Sequence, residues 1–231
     1  MSEKARKEIL AKIRRTTERR EFVYDRGAVE ASLDPRPGGR TLAEHVVLFE
    51  KRQRELGGQV HLASTVNGLV EILSRRLAAV ADGPVWVEQG LAVGGKGVLP
   101  KLRDAGLADV REALEPEGEA QWKQLLADAA VGVTGADWLL AETGSVVLVH
   151  RRGRPRMLSL LPRHHFVVSS VSQLVPNLDE VIPLLDRVHQ AADFAAVTIV
   201  TGSSRTADIE KILIKGVHGP QNLEVFLLAE T

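Results

Sequence analysis

The chain has 231 residues, of which 44% are apolar and 26% charged, a balance typical of a soluble globular domain. Basic and acidic residues number 30 each, so the overall charge argues against a nucleic-acid partner. The sequence contains no cysteine, which excludes disulfides, thiolate-bound zinc, a cysteine nucleophile and iron–sulfur clusters held by this chain alone.

The first segment of the chain is predicted to be a basic helical extension. Ile9, Leu10 and Ile13 form a narrow apolar stripe at helical spacing, and the Pro/Gly-rich stretch DPRPGGR then interrupts the chain. We find neither a secretory signal nor an apolar run long enough for a membrane span. We therefore expect a cytoplasmic protein with a helical extension over 1–38 and one α/β domain over 39–231.

Strands alternate with helices in the first half of the domain. QVHLA and PVWVE are predicted strands, and the helix between them runs from Val66 to Leu77 at helical spacing. The stretches TLAEHVVLFEKRQREL, LPKLRDAG and EAQWKQLLADA are predicted helices. This alternation predicts right-handed crossovers and a mostly parallel sheet.

The region 131–170 has no helical period and is rich in Val, Leu and Thr. With the turn RRGRP inside it, this region predicts consecutive strands that include an antiparallel pair. Helix returns in NLDEVIPLLDRVHQ, and a strand in AAVTIV. The chain closes with a predicted helix, TADIEKILIK, and a strand, NLEVFLL. The predicted fold class is therefore α/β with a strand-rich insertion.

The stretch TGSSRTADIE at 201–210 is predicted to join a strand to a helix. Ligands of open α/β sheets bind beyond the carboxyl ends of the strands, and a helix N-terminus attracts anions. An ordinary capped helix start explains the hydroxyls and the acids, but not the accumulation of glycine, serines and arginine. The candidate anion-binding residues of this turn are Gly202, Ser203, Ser204, Arg205 and Thr206.

A lone carboxylate, Glu142, interrupts the apolar run WLLAETGSVVLV. Burial in a strand is costly for a carboxylate unless it is paired, and it raises the pKa, so Glu142 is a candidate base or nucleophile. The alternative is an edge-strand glutamate that reaches water or pairs with a structural arginine. Thr134, Gly135 and Asp137 form a second small, polar loop just before this run.

The last predicted turn, KGVHGP, places Lys215 and His218 beside Gly219. His218 is a candidate acid–base group, although a surface histidine in a turn is the simpler interpretation. His164 and His165 are adjacent, so in a strand they point apart and cannot chelate a metal. We predict no metal site in this chain.

Four segments, GVTGADWLLAETGSVVL, LLPRHHFVVSS, TGSSRTADIE and GVHGP, occur in an order and spacing that resemble the LUD-domain family, and within it the lactate-utilisation protein C branch. The family more often has proline where this chain has Ser203, a departure that loosens the turn. The matching motif positions are Thr134, Gly135, Asp137, Glu142, Thr143, Gly144, Ser145, Gly202, Ser203, Ser204, Arg205, Thr206, Asp208, Lys215, His218 and Gly219.

The resemblance implies a Rossmann-like three-layer fold of the NagB/ribose-5-phosphate isomerase/CoA-transferase type, with an antiparallel strand insertion. It also implies that the motif loops converge in an anion-binding crevice at the carboxyl edge of the sheet. Family members act with two iron–sulfur partner proteins in the oxidation of L-lactate to pyruvate. By this resemblance the chain is the non-cluster subunit and holds no cofactor itself.

Two other functions stay open at this point. The chain is a stand-alone isomerase or acyl-transfer enzyme if Glu142 acts as base or nucleophile. It is a binding or assembly module without chemistry if its N-terminal helices engage partners.

Overall fold

The computed structural model describes residues 40–113, 119–151, 154–191, 196–207, 213–215 and 219–229. The predicted helical extension over 1–38 lies outside these ranges.

The main sheet has six parallel strands in the order β1-β14-β9-β6-β2-β5. Its strands are β1 (Gln59–Ala63), β2 (Val85–Glu88), β5 (Val110–Ala113), β6 (Val131–Thr134), β9 (His164–Ser170) and β14 (Asn222–Leu228). Since every neighbouring pair is parallel, all carboxyl ends meet at one edge of the sheet and all amino ends at the other. These two edges are called the carboxyl edge and the amino edge below.

A second, mixed sheet of four strands has the order β10-β7-β8-β11. Its strands are β7 (Trp138–Leu140), β8 (Ser145–His150), β10 (Leu174–Val175) and β11 (Ala196–Val200). Strands β7 and β8 form an antiparallel hairpin, and β11 pairs antiparallel with β8. This sheet is the strand-rich insertion that the sequence predicts.

Five α-helices lie in the described part of the chain, together with two small strands that pair with each other. The helices are α1 (Leu42–Glu55), α2 (Val66–Val80), α3 (Val98–Asp104), α4 (Glu119–Ala127) and α5 (Leu178–Ala191), and the small strands are β3 (Ala92–Val93) and β4 (Lys96–Gly97). Thr41 caps α1 through a complete capping box with Glu44, which explains why this helix begins where the Pro/Gly-rich stretch ends. Within the described residues, no helix has the length and apolarity that crossing a bilayer requires.

Two apolar cores cover the two faces of the main sheet. On one face, Leu69, Leu73 and Leu77 of α2 pack against Phe166 and Phe226. On the other face, the mixed sheet and α1 cover the alternate residues of the same strands. That second core is formed by residues such as Phe49, Leu139, Leu148, Val167 and Val225. The result is a three-layer α/β domain, as predicted.

The helix predicted over TADIEKILIK is wrong at its described residues. Arg205–Ala207 and Leu213–Lys215 are instead strands β12 and β13, which pair antiparallel. The apolar run here is short and contains β-branched isoleucines, so it fits a strand as well as a helix. The argument that a helix N-terminus attracts an anion at Arg205 therefore no longer applies.

Candidate functional site

At the carboxyl edge, the ends of β2 and β6 bring Glu88 and the loop after Thr134 together. Strands β2 and β6 are neighbours in the sheet, and Glu88 and Thr134 are their last residues. The backbone N–H of Gly135 donates to Glu88 Oε2 at 2.9 Å. The side chains of Glu88 and Thr134 are both buried, so the loop after Thr134 is fixed against the carboxylate of Glu88 rather than exposed to solvent.

Asp137 extends this arrangement into a chain of alternating charges. Its Oδ2 accepts from the backbone N–H of Val149 at 2.8 Å and from Arg154, and its Oδ1 lies 2.7 Å from Arg151 Nη2. Arg154 also places its Nε 2.7 Å from Glu88 Oε1. The four charged residues Glu88, Arg154, Asp137 and Arg151 are called the carboxyl-edge cluster below.

The charges of this cluster balance, and their exposure differs. Arg154 is held between two carboxylates, and only 15% of its side chain is exposed. Arg151 contacts one carboxylate and is 40% exposed. Because a guanidinium has five N–H donors, Arg151 keeps donors that a solute can reach. The cluster therefore combines an internally neutralised centre with one accessible cation at its rim.

Two buried histidines border the cluster. His165 Nε2 lies 2.9 Å from Thr134 Oγ1, and complete burial lowers the pKa of His165 to about 3, so its ring is neutral at pH 7. His150 Nε2 lies 2.8 Å from Thr198 Oγ1, and burial is the main cause that lowers its pKa. A small cavity adjoins His150, and it is lined by both polar and apolar residues: Glu88, Thr134, Leu148, His150, Arg154, Pro155, Leu158 and Ser159.

The predicted turn over residues 202–204 lies at the opposite edge of the sheet. The N–H of Ser204 donates to the carbonyl of Pro220 at 2.8 Å, and Pro220 stands two residues before β14 begins. Gly202 packs against Leu56, where α1 ends. The expectation that this turn lies at the carboxyl edge is therefore wrong. The physical reason is that β11 pairs with no strand of the main sheet but antiparallel with β8 of the mixed sheet, so the common direction of the main-sheet strands does not fix where β11 ends.

Three hydroxyl groups meet at the amino edge. Two belong to the predicted residues Thr143 and Ser145, and the third belongs to Thr201, which precedes the predicted turn. Thr143 Oγ1 lies 2.7 Å from Ser145 Oγ, and Ser145 Oγ lies 2.8 Å from Thr201 Oγ1. Ser145 is buried, whereas Thr143 and Thr201 are exposed. We call these three side chains the hydroxyl row. Two separate parts of the sequence, one in the β7–β8 turn and one after β11, thus meet here.

Two glycines allow α1 to approach this group closely. Gly144 has a positive φ of 68°, and a Cβ there would lie 2.7 Å from Arg52 Cβ. Gly202 has a φ of 83°, and a Cβ there would lie 2.9 Å from Leu56 Cβ. Both positions favour glycine because of the backbone conformation and because of the neighbouring helix. These glycines therefore have a packing role whether or not a ligand binds nearby.

Glu142 is not buried in a strand. It lies exposed in the turn between β7 and β8, and its backbone carbonyl accepts from Arg52 Nε at 2.9 Å. The alternation that placed it inside a strand breaks down because residues 141–144 form the turn. The structural premise of Glu142 as a base, burial within an apolar strand, is therefore wrong.

The remaining predicted residues are placed as follows. Arg205 and Thr206 lie in β12, Lys215 lies in β13, and Arg205 and Lys215 are register partners. Gly219 adjoins Ser204, since a Cβ on Gly219 would lie 3.3 Å from Ser204 Cβ, and Ser203 is half-buried. Asp208 and His218 lie outside the described residues.

The predicted residues thus form two groups rather than one crevice. Thr134, Gly135 and Asp137 lie at the carboxyl edge, and the others that are described lie toward the amino edge. The six residues of β8 separate the groups by roughly 17 Å at the usual rise per residue. Within the described chain, no three imidazole or carboxylate side chains are close enough together to hold a metal ion.

Sequence reasoning missed Glu88, Arg151 and Arg154. Glu88 carries a signal, because it is an acidic residue at the carboxyl end of a predicted parallel strand. The two arginines stand in RRGRP, which composition marks only as a turn. Their partners are far away in the sequence, so the pairing itself has no local signal.

The fold defines an α/β domain in which a parallel sheet carries a polar group at each edge. The LUD domain family model matches residues 46–228, so the chain belongs to the LUD domain family. A DUF162 family protein from Deinococcus radiodurans, known from its crystal structure, has the same architecture. That chain matches with a TM-score of 0.60 at 25% identity, covering 83% of this chain and 99% of its own length.

Two relatives carry the same printed name. Lactate utilization protein C of Halalkalibacterium halodurans is 34% identical over 128 residues, which are 52% of this chain and 56% of the relative. Lactate utilization protein C of Macrococcus caseolyticus is 30% identical over 159 residues, which are 68% of this chain and 66% of the relative. The matched stretches cover less than two thirds of both relatives. These similarities confirm the resemblance seen in the motifs.

Proposed function

We propose that this protein acts in lactate utilisation, as the non-cluster subunit of an iron–sulfur-dependent system that oxidises L-lactate in the cytoplasm. The observation that carries the proposal is the LUD domain match over residues 46–228, together with relatives named Lactate utilization protein C. The sequence supports the division of labour, because a chain without cysteine has no thiolates to hold iron–sulfur clusters. Two iron–sulfur proteins are the proposed partners.

The ligand that we propose for this chain is a small carboxylate at the carboxyl edge. Parallel α/β sheets bind ligands beyond the carboxyl ends of their strands, which is where the carboxyl-edge cluster lies. Arg151 is the contact residue of this proposal, since Asp137 occupies its Nη2 and its side chain is 40% exposed. Asp137 in turn contacts Arg154 and accepts from the N–H of Val149. Because these contacts fix the carboxylate of Asp137, they also orient the guanidinium of Arg151 that pairs with it.

The competing functions have less support. The hypothesis of a stand-alone enzyme rested on a buried Glu142, but this residue is exposed in a turn. The hypothesis of an assembly module depends on residues 1–38, which lie outside the described residues. Transfer of electrons or protons by this chain is not part of the proposal.

Co-purification and growth test the proposal together. A tagged chain, expressed at its natural level in the source organism, should retain two cysteine-rich proteins with iron–sulfur absorbance. Deleting the gene should abolish growth on L-lactate but not on pyruvate. Complementation with Arg151→Ala should restore growth poorly, whereas Arg75→Ala, which removes an exposed arginine of α2, should restore it fully. Undiminished growth of the deletion strain on L-lactate would contradict the proposal.

A further inference from the structure

We infer that Glu88 is a positioning residue for the proposed carboxylate ligand: through Arg154 and Asp137, its buried carboxylate fixes the direction in which Arg151 presents its guanidinium. This role rests on the proposed function, because Arg151 is the ligand contact proposed there. Glu88 lies at the far end of the carboxyl-edge cluster and acts on the ligand only through the other three members.

The cluster is a series of contacts in which negative and positive groups alternate. Oε1 of Glu88 lies 2.7 Å from Nε of Arg154, and Arg154 also pairs with Oδ2 of Asp137. Oδ1 of Asp137 in turn lies 2.7 Å from Nη2 of Arg151. A carboxylate bound at Arg151 continues the same alternation as its fifth member. A change at Glu88 therefore reaches Arg151 through two intermediate residues.

The burial of these side chains decreases from one end of the series to the other. The side chain of Glu88 is 10% exposed, those of Arg154 and Asp137 are 15% and 13% exposed, and that of Arg151 is 40% exposed. Ion pairs away from water are less screened than those at a surface. The inner three groups therefore hold one another firmly, and Arg151 is the member that a solute reaches most easily.

Glu88 anchors the series in the main sheet. It is the last residue of β2, a strand that pairs with β5 on one side and with β6 on the other. Its second carboxylate oxygen, Oε2, accepts from the backbone N–H of Gly135 at 2.9 Å. Both oxygens of Glu88 are therefore engaged, one by the loop after β6 and the other by Arg154. A binding site is precise when rigid elements hold the residues behind it in this way.

Gly135 leaves the space that Arg154 needs to reach Glu88. A Cβ at this position would lie 3.0 Å from Nη2 of Arg154 and 3.1 Å from Cδ1 of Leu91. Both distances are shorter than ordinary van der Waals contacts, so a larger residue there would push the guanidinium or Leu91 aside. The loop that Glu88 holds thus also sets the position of Arg154.

Two opposite effects are expected when Glu88 loses its charge. The cluster gains a net positive charge, which by itself attracts an anion more strongly. Arg154, however, loses one of its two carboxylates and then competes with Arg151 for Asp137. An Arg151 side chain without a fixed partner must be ordered when a ligand binds, which costs about three- to tenfold in affinity. The charge of Glu88 is two residues removed from Arg151, so we expect the loss of positioning to be the larger effect.

Calorimetric titration of the full chain with L-lactate tests the role of Glu88. Glu88→Gln keeps the size of the side chain and an acceptor for the N–H of Gly135, and it should weaken binding about three- to tenfold. Glu112→Gln is the matched control, because Glu112 lies in the neighbouring strand β5 and accepts from the N–H of Gly90 at 3.2 Å. The control removes the same charge outside the cluster and should change the affinity by less than about twofold.

Two further measurements separate positioning from a general loss of structure. Arg151→Lys keeps the charge of the ligand contact but not its planar fork, so adding Glu88→Gln to this variant should weaken binding by less than about twofold. In ¹H–¹⁵N spectra without ligand, the Nε–H group of Arg151 should show the heteronuclear NOE of an ordered side chain, and Glu88→Gln should abolish it. Thermal unfolding checks that each variant is folded at the temperature of the titration. If Glu88→Gln does not fold, Arg154→Lys replaces it, because lysine keeps the charge but lacks the fork that spans two carboxylates.

The outcomes for the ligand and for the positioning role are distinguishable. The positioning role is overturned, and the proposed function is unaffected, if Glu88→Gln binds L-lactate as tightly as the unmodified chain or more tightly. If the unmodified chain does not bind L-lactate, the proposed ligand is wrong, and the NMR measurement decides on Glu88. An Nε–H group of Arg151 that is equally ordered in the unmodified chain and in Glu88→Gln overturns the positioning role, whereas loss of order in the variant supports it.

Discussion

The two edges of the main sheet use their polar residues in different ways. At the carboxyl edge, the guanidinium of Arg154 lies between Glu88 and Asp137, and the charges largely neutralise one another. At the amino edge, the neutral hydroxyls of Thr143, Ser145 and Thr201 bond to each other. The first arrangement fixes a loop and leaves one cation at its rim. The second carries no charge, and the residues at its two ends are exposed.

This difference shows which polar residues stabilise the fold. Buried charges that are paired on several sides stabilise the fold only as a unit, because removing one leaves the others unpaired. An exposed hydroxyl has water as an alternative partner, so losing its hydrogen bond costs little. Variants of the carboxyl-edge cluster and of the hydroxyl row should therefore differ in their effect on stability.

The largest effect is expected from Arg154→Leu. Removing this cation leaves the buried carboxylate of Glu88 and the half-buried carboxylate of Asp137 without their shared partner, which should cost about 3–5 kcal/mol in the free energy of unfolding. Urea denaturation at pH 7 measures it. Arg75→Ala, which breaks an exposed ion pair with Glu71, is the control and should change stability by less than about 1 kcal/mol. A loss below about 1 kcal/mol for Arg154→Leu would show that the cluster is not a structural unit.

At the amino edge, Gly144→Ala should be strongly destabilising. The new Cβ combines a φ of 68° with a position 2.7 Å from Arg52 Cβ, for a cost of about 2–4 kcal/mol. Gly95→Ala is the matched control, since Gly95 has a φ of 70° but nothing within 4 Å of the added Cβ. It should cost only about 1 kcal/mol. Equal losses in the two variants, measured by thermal unfolding, would mean that contact with α1 is unimportant.

The buried histidine near the carboxyl edge predicts sensitivity to acid. Burial lowers the pKa of His165 from 6.5 to about 3. Above pH 6.5 this shift has no effect on stability. Between pH 6.5 and about pH 3 the unfolded chain binds a proton at His165 that the folded chain does not, so stability falls as the pH falls. At pH 5 the loss relative to pH 8 is about 2 kcal/mol from this residue.

Denaturation curves of the unmodified chain and of His165→Gln, taken between pH 8 and pH 5, check this. Whatever the variant does to stability at pH 8, its dependence on pH should be shallower by about 2 kcal/mol over that range. Parallel pH profiles for the two proteins would contradict the account of His165.

Glu224 affects stability at more acidic pH. Burial raises the pKa of Glu224, but hydrogen bonds with His61 and Arg76 outweigh burial, so the pKa is lowered. The stabilising effect of this carboxylate is lost only as the pH falls through its folded-state pKa.

The smallest effect on stability is expected from Thr201→Val. The variant removes one hydrogen bond, to Ser145 Oγ, from an exposed side chain. This should lower the free energy of unfolding by no more than about 1 kcal/mol. A larger loss in urea denaturation would place the hydroxyl row among the structural groups, like the carboxyl-edge cluster.

The sequence predicts much of this fold because its signals are local. The helix from Val66 and the strands QVHLA and PVWVE follow from spacing, and the loop of Thr134, Gly135 and Asp137 stands out by composition. The pairing of Asp137 with Arg154, and of both with Glu88, depends on contacts between distant segments that no local pattern encodes. The strand pairing of Arg205–Ala207 is of the same kind, and there a local pattern favoured a helix. Glu142 shows the same limit, since only the turn decides its exposure.

One measurement tests most directly the claim that a small carboxylate binds at the carboxyl edge. In an assigned ¹H–¹⁵N correlation spectrum, L-lactate is titrated into one sample and sodium chloride into another, at equal ionic strength. The account predicts that L-lactate shifts the backbone amides of residues 135–137 and 149–151 and that sodium chloride does not. If L-lactate shifts none of these amides, or if sodium chloride shifts them equally, the account is contradicted.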